Sequence, residues 1–197
     1  MMRVGRAAAF DGPHDVTDDL DLASKTIPID ADLFLRRMLR ELSGTLEDVV
    51  GIEAAEGFVN SVGSAMGRWI GECYGNVLKI ERLDPSQLAQ VFVDLKRRIN
   101  GGFYVIDIDE DRIILGNNKC PFGEMAKGRM SLCMMTSNVF GRIAADNLGY
   151  ARVELEETIA GGSDGCRIVV WLKEVAGADP TGREYYAVPA GNGLAAE

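Results

Sequence analysis

The chain has 197 residues, 47% hydrophobic and 26% charged, the composition of one ordinary globular domain with short tails. No apolar run approaches the roughly 20 residues of a membrane-spanning helix, and the opening MMRVGRAAAFDGPHD is too short in apolar residues for a secretory signal, so a cytoplasmic protein is expected. Its 21 basic and 30 acidic residues give a net charge of −9, which repels a phosphate backbone and argues against direct nucleic-acid binding.

Residues 1–26 carry Gly12-Pro13 and an acidic run from Asp15 to Asp21 with little apolar periodicity, the pattern of a flexible arm. The folded domain is expected over 27–173. Asp30 or Asp32 can cap a first helix carrying Leu33, Phe34, Met38 and Leu42, which Gly44 is expected to end. From Thr45 to about Tyr74, Ala55, Phe58, Val59, Val62, Met66, Trp69, Ile70 and Cys73 recur at helical spacing, predicting one broad apolar face on one long helix or on two broken near Gly51. Gly63, Gly67, Gly71 and Gly75 follow every fourth residue, each costing up to ~1 kcal/mol relative to alanine in a helix. They form a bare stripe suited to close helix packing, within the chain or across a dimer, or to a flat ligand.

Asp84-Pro85-Ser86-Gln87 joins a side-chain cap, a proline at the first helical position and a capping-box glutamine. The helix it starts carries Leu88, Val91, Phe92, Leu95 and Ile99, and its closing Lys96-Arg97-Arg98 complements the helix dipole. The period then becomes strand-like: Phe103 to Ile108 and Arg112 to Leu115 flank the turn Asp109-Glu110-Asp111. A constrained loop, Cys120-Pro121-Phe122-Gly123, leads to a helix over about Ser131 to Asn147, with Gly149 just past its end. A second hairpin alternates Ala151, Val153 and Leu155 with Arg152, Glu154 and Glu156, turns at 161–165 and returns over Cys166 to Leu172. Residues 174–197 read as a tail. The fold class is α+β: N-terminal helices, then hairpin, helix and hairpin forming a four-stranded antiparallel sheet backed by helices.

Chemistry-bearing residues are sparse. The only histidine, His14, falls in the arm, so the domain has no imidazole for nucleophilic catalysis. Neither a phosphate-cradling G-x-x-x-x-G-K-[ST] nor a G-x-G-x-x-G between strand and helix is present, and a non-enzyme is expected. Glu157 continues the inward series of its strand by parity, where a carboxylate needs a metal, a cation or a hydrogen-bond donor. Cys120, Cys133 and Cys166 can converge, either as three buried thiols or, with Glu157, as a tetrahedral zinc site.

Cys120-Pro121-Phe122-Gly123, Leu132-Cys133, the stretch from Met135 to Ala144 and Gly162 to Cys166 resemble the methanogen-type output domains of signalling proteins and, more distantly, the vinyl-reductase-type hydrocarbon-binding sensor domains. The resemblance spans about residues 30–173. It implies an α/β domain that dimerises and acts in signal transduction beside kinases or transcription factors. In the hydrocarbon-binding relatives it also implies a zinc held by cysteines and a glutamate, to which Cys120, Cys133 and Cys166 correspond; where a further hairpin cysteine is expected, this chain has Thr158.

The leading expectation is therefore a sensor or output module that binds an apolar small molecule between the glycine-striped helix and the sheet, beside Met66, Trp69, Phe92 and Phe103. One alternative is a ligand-free interaction domain whose dimer face transmits a partner's state. The other is a metal or redox switch using Cys120 and Cys133, with Lys119 and Arg129 as cationic neighbours.

Overall fold

The computed structural model of the protein describes residues 25–174 and 181–188. Asp30 caps α1 (Ala31–Val50), its side chain accepting the Leu33 N–H at 2.7 Å. The helix does not end at Gly44. It runs through that glycine, which is buried against Arg129, and stops at Gly51, whose φ of +81° no helix accommodates. A second helix, α2 (Ile52–Leu78), follows at once.

In α3 (Pro85–Arg98) the capping box is complete: Asp84 accepts the Gln87 N–H at 2.8 Å and Gln87 accepts the Asp84 N–H at 3.0 Å. Leu88, Val91, Phe92 and Leu95 are buried, each stabilising by roughly 1.5–3 kcal/mol before entropy is counted. Ile99 lies past the helix end and is exposed.

The strands are β1 (Phe103–Ile108), β2 (Arg112–Asn117), β3 (Tyr150–Glu157), β4 (Cys166–Trp171) and β5 (Arg183–Tyr186). They form one antiparallel sheet in the order β1-β2-β4-β3-β5. The fifth strand corrects the expectation of four, and it falls within the segment read as a tail. Tyr185 anchors it: the ring is buried against Gly141, and the hydroxyl meets Ser137 Oγ and Asn138 Oδ1 at 3.0 Å.

Between the hairpins runs α4 (Met130–Leu148), closed by Gly149 at φ +95°. It packs on α2 with one side and on β3 and β5 with the other, so it separates α2 from the sheet. The core fills that layer: the Phe92 and Phe140 rings stack with centroids 4.3 Å apart, and Phe103 meets Phe140 edge-on at 5.7 Å. Among the described residues no helix is long and apolar enough to cross a membrane.

Candidate functional site

Cys120 leaves the loop after β2, Cys133 faces in from the first turn of α4, and Cys166 opens β4. All three line one cavity of about 30 Å³, room for about one water, together with Phe103, Leu132 and Leu155. Beside them lies the first residue of the basic run that closes α3. Lys96 is buried; its ammonium donates to Thr136 Oγ1 at 2.8 Å and sits 5.1 Å from the centroids of the Phe103 and Phe140 rings. Burial pushes its pKa down to about 8, against the opposing pull of Cys120, Cys133 and Cys166. Burial also raises the thiols of Cys120 and Cys133, the latter to about 11. The sequence signal for Lys96 was its place four residues after Phe92, on the apolar stripe of α3.

Glu157 does not join the cysteines. A β-bulge between Leu155 and Glu157 breaks the alternation of β3 and leaves both Glu156 and Glu157 exposed, so the parity that aimed Glu157 inward fails. Thr158 lines the cavity instead, and its hydroxyl accepts the Gly161 N–H at 3.0 Å. The donor set is thus three sulfurs with an ammonium beside them, which does not complete the closed four-ligand site of a structural zinc. Among the described residues no three His, Cys, Asp or Glu side chains are placed to hold a metal ion.

The expected apolar pocket is also taken apart. Phe92 and Phe103 are core residues, whereas Met66 and Trp69 are exposed on α2, and α4 stands between the two pairs. The glycine stripe is what α2 turns inward. A Cβ on Gly63 would lie 2.4 Å from Asn138 Cβ, and one on Gly67 would lie 2.7 Å from Arg142 Cβ; at Gly71 it would only touch Ile143, and at Gly75 it would meet open space. Gly63 and Gly67 therefore serve contact between α2 and α4 within the chain.

The side of α2 turned away carries Phe58, Val62, Met66 and Trp69 in a continuous helical stripe, 38–58% exposed. In α1 the inversion is more complete. Its inward side is largely polar: Arg40 donates to the Met125 carbonyl and, at 3.0 Å, to that of Lys127, while Glu47 accepts from Arg129 at 3.2 Å. Its outward side presents Phe34, Leu35, Met38, Leu39 and Leu42, 40–60% exposed.

Under the N-terminal half of α1 opens a cleft of about 640 Å³, walled by Asp32 and Arg36 on the helix and by the loops at 118–124 and 159–164. Cys120 and Pro121 line both this cleft and the cysteine cavity.

Several solved structures share this fold, among them the following. The phenol-responsive sensory domain of the transcription activator PoxR, determined with phenol, superposes with a TM-score of 0.54 at 14% identity, covering 74% of this chain and 76% of that one. Trafficking protein particle complex subunit 3 from Naegleria fowleri, covalently bound to palmitic acid, gives 0.54 at 14% identity over 73% of this chain and 95% of that one. No curated protein matches the chain in sequence. The family model described as methanogen output domain 1 matches residues 38–171, the span from mid-α1 to the end of β4, and the chain belongs to that family.

Proposed function

We propose that this chain is a non-catalytic sensor and output module of signal transduction that works as a homodimer joined through the outward faces of α1 and α2. The inverted amphipathicity of α1 carries the reading. A helix that seats polar groups on its own domain and turns Phe34, Leu35, Met38, Leu39 and Leu42 to the outside is built for a second surface. With the stripe on α2, nine large apolar side chains are 38–60% exposed. Contiguous exposed apolar faces of this kind mark protein–protein interaction sites.

The family assignment and the sensory-domain neighbour support a role in signalling, and a kinase or transcription factor is the partner class that role calls for. An apolar ligand of phenol's size exceeds the one-water cavity beside the cysteines, so association is the activity that the geometry supports best. Sedimentation equilibrium of the wild type and of Leu42→Asp and Phe58→Asp tests it. Both positions are exposed, so the variants should keep the wild-type far-UV circular dichroism spectrum while the dimer falls to monomer. A wild type that stays monomeric, or variants that dimerise unchanged, would refute the reading.

A further inference from the structure

We infer that the cleft under α1 binds a small organic anion with an apolar end. Its volume of about 640 Å³ falls within the range of small-molecule sites. The charges on its walls are not all matched. Asp32 is engaged by Arg36, and Glu124 by Lys127 at 2.8 Å. That leaves Lys119 and Asp164, neither of which faces an opposite charge within ion-pair distance among the described residues, and the Nε of Arg36, which has no hydrogen-bond partner. Lys119 with a free ammonium and Arg36 with an unsatisfied Nε thus stand on the walls of one cleft, a place for an incoming acceptor.

The loop below is shaped to bring the arginine in. Gly123 holds φ +56°, and a Cβ there would stand 3.1 Å from Arg36 Nη1, so the guanidinium rests on bare backbone. Asp164, the remaining carboxylate of the lining, belongs to the other loop and orients the ligand by repulsion, with its charged end toward Lys119. Pro121 and Cys120 receive the apolar end, since they form the floor shared with the cysteine cavity.

The site also has a route to the outside. Arg36 belongs to α1, whose opposite side carries the apolar face, so a ligand held against Arg36 sets how α1 is seated; this step rests on the dimer proposed above. Binding itself does not.

The test is a ¹H–¹⁵N titration of the full chain with benzoate and with benzamide, its neutral counterpart, at constant ionic strength, alongside sedimentation of the same samples. Benzoate is expected to shift amides at 118–124 and 159–164 saturably and benzamide to leave them in place. Lys119→Gln, a substitution at an exposed position, should weaken benzoate roughly tenfold or more, the scale of one charged hydrogen bond. No saturable shift, equal shifts with benzamide, or unchanged affinity in Lys119→Gln would overturn the inference. Benzoate binding by a chain that stays monomeric at every concentration would uphold the cleft and overturn the dimer; a dimer indifferent to benzoate would do the reverse.

Discussion

Adding one methyl group at Gly63 and another at Gly75 should change stability in opposite directions, although the two glycines sit on one stripe of one helix. At Gly63 the new Cβ would stand 2.4 Å from Asn138 Cβ, where carbon atoms rest at about 3.5–4.0 Å, so α2 and α4 must part by about an ångström. Asn138 has nowhere to go: it is 1% exposed, donates to Asn60 Oδ1 at 2.9 Å and accepts from the Tyr185 hydroxyl at 3.0 Å. Overpacking of this kind costs about 1–3 kcal/mol, while replacing a helical glycine by alanine returns up to about 1 kcal/mol. Gly63→Ala is therefore expected to lose about 1–2 kcal/mol net, a fall of several degrees in Tm at about 2–4 °C per kcal/mol for a chain of this size. Gly75→Ala meets nothing within 4 Å and keeps the helix gain, a rise of about 2–4 °C. Urea denaturation and calorimetry of both variants measure it. Equal effects at the two positions would refute the assignment of Gly63 to the contact between α2 and α4.

Further outcomes follow from the buried polar groups. A thiol reagent should label the exposed Cys73 quickly and the partly buried Cys120, Cys133 and Cys166 more slowly, with all four reacting after denaturation; native labelling of Cys133 as fast as that of Cys73 would contradict its partial burial and raised pKa. Lys96→Met, which keeps the stem and deletes a buried ammonium, should raise stability in urea by about 1–3 kcal/mol, and a loss instead would mean that the ammonium's contacts with Thr136 and with the Phe103 and Phe140 rings outweigh its desolvation. Asp94 is held well below the usual carboxylate range by Arg98, Tyr74 and Arg97. Its contribution is present above the unfolded value of about 3.9 and is lost as pH falls through the folded value, so Asp94→Asn should flatten the acid limb by less than about 1 kcal/mol, screening having reduced a half-exposed network. An acid limb unchanged in that variant would remove Asp94 from the linkage.

Much of the fold was legible because its signals are local. The capping box at Asp84 to Gln87, the break at Gly51 and the turn at 109–111 each sit in a few consecutive residues, and the structure puts them to the expected use. What stayed hidden depends on neighbours far along the chain. Periodicity showed that α1 and α2 have apolar faces, but only the placement of α4 decides that Phe58, Val62 and Trp69 look outward while Gly63 and Gly67 look in. The bulge that turns Glu157 out leaves no mark in the alternation of β3, and β5 is too short, at four residues, for its pattern to stand out. Lys96 hid inside a basic run whose other two members, Arg97 and Arg98, do lie on the surface with Asp94.

The central claim, that the outward faces of α1 and α2 are covered by a second copy, is tested most directly by hydroxyl-radical footprinting over a range of protein concentrations. Phe34, Met38, Phe58 and Trp69 should be oxidised readily in dilute protein and become protected together as the chains associate, while exposed Tyr104 on β1 stays reactive throughout. Equal oxidation of the four at every concentration, or protection that falls on Tyr104 instead, would contradict the account.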